Sequence, residues 1–257
     1  MSLRLKRMKE KERRERRKRY IVVIGIAVIA ITIAVYYAKE TGTYKNSRVW
    51  SFDSYAKGVI PEGFSSTDKH WSIIADHDLA YSKPNVIMHS SSKDGDNASD
   101  NSSSSSNSSN DGDGNGADTN VDTSSYLYSL LINSEGVYSN FKASVNVKIT
   151  GNGSAGLVFR FIDSSHYFVL MVDAANDRFS LCRMDPGRLL CLHDASVSIE
   201  NDRWYNITAH VSTQAIVGYL DGEPLLKRYD QHYMSGMIGL WARSNTSAFF
   251  DDLQIYY

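Results

Sequence analysis

A chain of 257 residues, 42% of them hydrophobic, has ample material for one sizeable core. Its net charge of -1 averages two unlike parts: residues 1–19 hold eleven Lys or Arg against three Glu, which leaves about -9 on the rest. A remainder this acidic excludes DNA or RNA as its partner and suits a soluble external domain.

Residues 1–19 read as a basic cytoplasmic head. They give way to an uncharged run, residues 20–38, YIVVIGIAVIAITIAVYYA. At about 1.5 Å per helical residue the run extends roughly 28 Å, close to the ~30 Å hydrocarbon core of a bilayer. A transmembrane signal-anchor helix is the expectation, with membrane lipid as its partner. The far flank offers only Lys39, Lys45 and Arg48 nearby, so the positive-inside rule keeps the head in the cytoplasm and sends everything after Lys39 outside. Tyr36 and Tyr37 fit an aromatic belt at the outer interface. The rival is a cleaved signal peptide, but its apolar region runs about 7 to 15 residues and ends in a small-x-small site. No such pair precedes Lys39. The expected location is therefore the plasma membrane, single-pass, with the N-terminus cytoplasmic and the C-terminal domain extracytoplasmic.

After a stalk at residues 39–47, the domain is expected over 48–257. Strand-like segments fall at 48–54, 71–76 and 80–89. Residues 90–125 are then nearly all Ser, Asn, Asp and Gly, too polar to offset the entropy of ordering, and read as a disordered insertion within the domain. Strand pattern stands on both sides, and loop closure costs little more for a long loop than for a short one. Asn97, Asn101 and Asn107 are glycosylation sequons in this tract, with others at Asn152, Asn206 and Asn245. Asp111, Asp113, Asn115 and Asp122, with Gly116 at the sixth position, resemble a calcium loop, although no helices flank it and a solvated spacer has the same composition. Calcium is the one ion considered on this basis; no motif requires a cofactor.

From 126 to 257 the chain is a succession of strands. In 141–150, Phe141, Ala143, Val145, Val147 and Ile149 alternate with polar residues, giving one buried and one wet face. Further strands read at 156–163, 166–173, 178–184, 188–193, 204–211, 215–221, 235–243 and 248–257. Turn signals such as Asp185-Pro186-Gly187 and Asp221-Gly222 separate them. Many short strands with regular turns imply an all-β fold, an antiparallel two-sheet jelly-roll sandwich, here preceded by one transmembrane α-helix.

A two-residue turn at Ser164-Ser165 sets Phe161 opposite Phe168 and Phe159 opposite Leu170. One apolar face then collects Leu157, Phe159, Phe161, Phe168, Leu170 and Val172, extended by Phe179, Leu181, Leu190 and Leu192. The other face carries Arg160, Tyr167, Asp173, Arg178, Ser180 and His193, joined by Asn146 and Lys148. It is either solvated sheet or a ligand surface. The same register puts Cys182 opposite Cys191 at a non-hydrogen-bonded position, with Cα atoms about 4.5 Å apart. A disulfide is expected there; two free thiols are the alternative, and a bulge at the Pro-Gly turn would spoil the pairing.

The segments Gly156-Leu157-Val158-Phe159-Arg160 with Asp163 and Tyr167, Trp204-Tyr205, Tyr219-Leu220-Asp221-Gly222, Gly236-Met237-Ile238-Gly239-Leu240-Trp241 and Phe250-Asp251-Asp252-Leu253 resemble the concanavalin A-like lectin/glucanase superfamily, especially its laminin-G-like and 3-keto-disaccharide-hydrolase-like domains. The resemblance spans about 49–257, interrupted by the Ser/Asn tract. It implies a two-sheet jelly roll whose concave face binds glycans in many relatives, and no single activity. Asn146, Arg160 and Tyr167 are the ligand-binding candidates, with Trp241 as a stacking platform if it faces outward and as core if it does not.

Catalytic signals are sparse. The glucanase Glu-x-Asp-x-Glu strand is missing, and Asp251 and Asp252, adjacent on a strand, are expected on opposite faces. The histidines show no metal-ligand spacing, and Gly151-Asn152-Gly153-Ser154-Ala155-Gly156 is followed by a strand, not the helix a dinucleotide fingerprint needs. The expected function is a cell-surface glycan-binding or adhesion module meeting glycan or a surface protein. The alternatives are a sugar-processing hydrolase of the 3-keto-disaccharide type and a structural surface protein without a small ligand.

Overall fold

The computed structural model describes residues 44–75, 80–91 and 128–257. The basic head, the apolar run 20–38, the sequons at Asn97, Asn101 and Asn107, and the calcium-type loop of Asp111, Asp113, Asn115 and Asp122 lie outside the described residues. Among the described residues no helix is long and apolar enough to cross a membrane.

The strands in chain order are β1 (Ser47–Trp50), β2 (Phe64–Ser66), β3 (Trp71–Ala75), β4 (Asn85–His89), β5 (Tyr128–Tyr138), β6 (Phe141–Thr150), β7 (Ser154–Asp163), β8 (His166–Asp173), β9 (Arg178–Asp185), β10 (Arg188–Ser196), β11 (Trp204–Val211), β12 (Ala215–Leu220), β13 (Glu223–Tyr229), β14 (Gly236–Arg243) and β15 (Ser247–Tyr256). They form two antiparallel sheets. The first runs β13-β12-β11-β6-β15-β4-β3, with β1 also on β15; the second runs β10-β9-β8-β7-β14-β5-β2. Among the described strands the chain changes sheets repeatedly, including between β5 and β6, between β6 and β7, between β10 and β11, and on either side of β14.

Alternation explains the core. Phe141, Ala143, Val145 and Val147 of β6 are buried with Leu157 and Phe159 of β7, Phe168, Leu170 and Val172 of β8, and Phe179 and Leu181 of β9. Burying each large apolar side chain contributes roughly 1.5–3 kcal/mol, so this layer supplies most of the drive to fold. Local chemistry sets the turns: Asp221 and Gly222 take φ of 51° and 83°, the left-handed pair that a tight hairpin between β12 and β13 demands.

Two expected registers shift at bulges. Asp163 pairs with His166 as the Ser164-Ser165 turn requires, but an irregularity follows, so Phe159, not Phe161, faces Phe168, and Leu157 faces Leu170. Phe161 instead packs beside Tyr167 and Met237 in a second apolar cluster. Beyond Cys191 a bulge at Leu192 sets His193 opposite Leu181. His193 thereby turns toward β13, with Nδ1 3.2 Å from the Lys227 carbonyl oxygen.

Cys182 and Cys191 are register partners and are joined by a disulfide, their Cα atoms 3.9 Å apart. Closing so short a loop contributes roughly 2.5 kcal/mol in the chain-entropy account. The Cys182→Ser, Cys191→Ser double variant is therefore expected to melt roughly 5–10 °C lower, read by thermal unfolding.

Candidate functional site

At one side of the sandwich two edge strands, β10 of the second sheet and β13 of the first, approach each other. Between them lies a cleft of about 620 Å³, lined by Arg183, Leu190, Leu192, Gln214 and the run Arg228-Tyr229-Asp230-Gln231-His232. Its floor is Arg183. This residue pairs with Phe168 in register and so points inward with Phe179 and Leu181, on the strand next to the edge strand β10.

The guanidinium is held by two carboxylates. Nε donates to Asp185 Oδ1 at 2.8 Å and Nη2 to Asp185 Oδ2 at 2.9 Å, the bidentate fork that arginine's planar geometry favours. Nη1 donates to Asp230 Oδ2 at 2.8 Å. Tyr233 Oη donates to Asp185 Oδ1 at 2.8 Å, and the His232 amide donates to Asp230 Oδ1 at 2.8 Å. The Arg183 fork pulls the Asp185 carboxyl down to about 2, while burial, aided by the bond to Asp185, pushes the Tyr233 hydroxyl up to about 12. Burial works against ionisation of Asp230, but the bonds from His232 and the charge of Arg183 outweigh it and leave its pKa below the ordinary value. Around this rigid floor stand reachable side chains. Tyr229 is 68% exposed, and the His232 side chain is 59% exposed.

Both carboxylates are committed to Arg183, which suits holding a ligand better than transferring a proton. The cleft offers an aromatic face, amides from Gln214 and Gln231, and a charged floor fixed before any ligand arrives, which lowers the ordering cost of binding.

The residues singled out from sequence lie elsewhere, and not on one surface. Asn146, on β6, belongs to the first sheet, whereas Arg160, Tyr167 and Trp241, on β7, β8 and β14, belong to the second. The single face expected from alternation dissolves because the chain changes sheets between β6 and β7. Asn146 is 6% exposed; its Oδ1 accepts from Asn206 Nδ2 at 2.9 Å. Arg160 is wholly buried: a left-handed φ of 50° at the β7 bulge carries its guanidinium across to the first sheet's side, where Nη2 donates to the Ser212 carbonyl at 2.9 Å. Its Nε and Nη1 have no partner, and burial lowers its pKa. Tyr167 and Trp241 are both buried in the cluster with Val158, Val169 and Met171, which places Trp241 as packed core rather than an open platform.

Asp251 and Asp252 also depart from expectation. Asp252 takes a φ of 49° at a bulge in β15, so the two carboxylates do not diverge. Ser82 Oγ donates within reach of both, 3.2 Å from Asp251 Oδ2 and 3.1 Å from Asp252 Oδ1. Asp251 is fully buried, and burial first, then the charge of Asp252, pushes its carboxyl up to about 7 against the bonds from Ser82. Among the described residues one group has the make-up to hold a metal ion: Asp68, His70 and His89, at the far side of the first sheet.

No protein-family model and no curated protein matches the sequence. Among solved structures the chain is similar to the carbohydrate binding module CBM66 from Bacillus subtilis, at 21% identity over 51% of this chain and 82% of that one, with a TM-score of 0.48. It is also similar to a protein of unknown function with a galectin-like fold from Bacillus subtilis, at 10% identity over 75% of this chain and 88% of that one, TM-score 0.45. A third is the galectin LEC-6 of Caenorhabditis elegans, at 5% identity over 45% and 82%, TM-score 0.37. Likenesses of this degree do not bear on function, which leaves the residues of the cleft to speak for it.

Proposed function

We propose that this chain is an extracytoplasmic glycan-binding module that takes a sugar in the cleft between β10 and β13. The observation that carries the reading is the Arg183 floor, fixed by Asp185 and Asp230, with the exposed ring of Tyr229 beside it. Sugars present hydroxyls to charged and amide groups and an apolar C–H face to aromatic rings, and the cleft supplies both kinds of surface. In this reading residues 20–38 anchor the chain in the plasma membrane, with the head cytoplasmic and the sandwich outside. The Cys182–Cys191 disulfide is at home in such an oxidising compartment.

A glycan array probed with the full-length chain, with and without calcium, tests the reading. Binding is expected, and Tyr229→Ala is expected to weaken it at least ~10-fold, about 1.4 kcal/mol, with the unfolding midpoint unchanged because the ring is exposed. Silence across the array in both conditions, or full binding by Tyr229→Ala, rejects it.

One observation favours a second reading, a sugar-processing hydrolase of the 3-keto-disaccharide type: the Asp251 carboxyl, pushed up to about 7 beside Asp252, has the protonation behaviour of a general acid. That pair sits on β15, separated from β13 and its cleft by three intervening strands, so hydrolysis abolished by Asp251→Asn but spared by Tyr229→Ala separates the two readings.

A further inference from the structure

His89 lies at the end of β4, fully buried, with its ring 4.9 Å from that of Trp71. Its Nδ1 is 2.7 Å from the carbonyl oxygen of Thr246. A carbonyl only accepts, so the proton of the neutral ring resides on Nδ1 and the lone pair on Nε2. Burial, more than any neighbouring charge, holds the ring in that neutral form by lowering its pKa. Nε2 itself is buried and has no hydrogen-bond partner. A lone pair left so is costly, on the order of 1–3 kcal/mol, which asks what completes it.

What faces the ring is His70 and Asp68. The His70 ring lies 5.9 Å from that of His89, and the ligand atoms of Asp68, His70 and His89 all lie within 4.8 Å of one another. Asp68 is itself positioned. Its amide accepts restraint from Ser66, donating to Oγ at 3.0 Å, and its Oδ1 receives the His70 amide at 2.9 Å while standing 3.3 Å from His70 Nδ1. One His89 nitrogen is thus held by a backbone carbonyl, and a second imidazole and a carboxylate bring ligand atoms within 4.8 Å of each other and of the ring. Metal-bound histidines show this arrangement, in which the outer bond fixes the tautomer and aims the ligand atom.

We propose that Asp68, His70 and His89 form a binding site for a divalent ion of the zinc class, with Thr246 as the group that orients His89. Two imidazoles with one carboxylate suit a borderline transition ion and not calcium, which takes oxygen ligands. Ligands about 2.1 Å from a tetrahedral zinc stand about 3.4 Å apart, so the site closes by a small inward movement. Asp68 and His70 permit that movement, since both are part-exposed, at 22% and 23%, on the loop entering β3, whereas His89 is fixed in the sheet. Three protein ligands leave the fourth position to water or to a donor from outside.

Zinc titration of the full-length chain against a chromogenic chelator tests the site. One equivalent is expected to bind in the micromolar range or tighter and to raise the unfolding midpoint, as a ligand of the folded state must. Cobalt(II) in its place is expected to show tetrahedral ligand-field absorption. His70→Ala, on the part-exposed loop, is expected to weaken zinc binding by about 100-fold and to remove the midpoint shift, with the zinc-free fold unaltered. His89→Ala is unsuitable alone, because it opens a buried hole. Failure to bind zinc overturns the proposal, since Nε2 is then completed by a water. Undiminished binding by His70→Ala overturns it equally, because the ion is then held elsewhere on this acidic chain.

Discussion

Gly156→Ala is expected to cost at least about 3 kcal/mol and to lower the thermal midpoint by roughly 6–12 °C. Gly156 lies in β7 between Trp241 of β14 and Met171 of β8. A methyl group there would sit 2.0 Å from the Leu170 carbonyl oxygen and 2.7 Å from the Met171 Cα. Both are backbone atoms in a paired strand, so no rotamer change relieves the clash, and β7 and β8 must separate. Circular dichroism melting of the variant checks it, with Gly222→Ala as a contrast in which strain comes from φ alone and the added carbon meets nothing within 4 Å. A Gly156→Ala midpoint within a degree or two of the parent contradicts the account.

The second large effect is a pH dependence of stability centred on Asp251. Its carboxyl has a folded-state pKa near 7, raised mainly by burial, against an ordinary value near 3.8. The folded state therefore binds the extra proton between about pH 4 and pH 7. The contribution is fully present below the unfolded value and is lost as pH rises through the folded one, up to about 4 kcal/mol in all. His89 works in the opposite sense: burial lowers its pKa, so the unfolded chain takes up the proton first and raising the pH favours the folded state. Comparing variants separates the two. Asp251→Asn is expected to keep the site neutral and to shift the pH profile, gaining on the parent as pH rises from about 4 to about 7. Chemical denaturation across that range measures it, and parallel profiles for parent and variant would refute the assignment.

The all-β sandwich was legible because alternation is a local property. Phe141 to Ile149 alone declare a strand with one buried side, and the turn residues Asp221 and Gly222 place a hairpin. Sheet membership is not local. Nothing in β6 and β7 announces that the chain changes layers between them, so alternation groups Asn146 and Arg160 on a face they do not share. Bulges were equally hidden, because an extra residue alters register without altering composition; those in β7, β10 and β15 moved Phe161, His193 and Asp252.

The cleft is illegible in the sequence for a related reason. β13 reads poorly as a strand, with Pro224 near its start and Lys227 and Arg228 interrupting the apolar pattern, yet it forms one wall. Arg183 did carry a signal, since it continues the inward set of Phe179 and Leu181 with a charge where a core residue belongs. The ion site joins residues 68 and 70 to residue 89 through the β3–β4 pairing, a proximity no spacing rule reports.

The strands that border each sheet bear on how such molecules behave when crowded together. Any outermost ribbon shows unsatisfied amides and carbonyls that invite a neighbour to add on, the first step toward insoluble fibres. Here β2 and β3 are only 3 and 5 residues long, β13 opens with Glu223-Pro224 and carries Lys227 and Arg228, and β10 is bent by its bulge and cross-linked near its turn. Short length at two margins, charge with proline at the third, and a bulge with a cross-link at the fourth each hinder a neighbouring chain from adding on there.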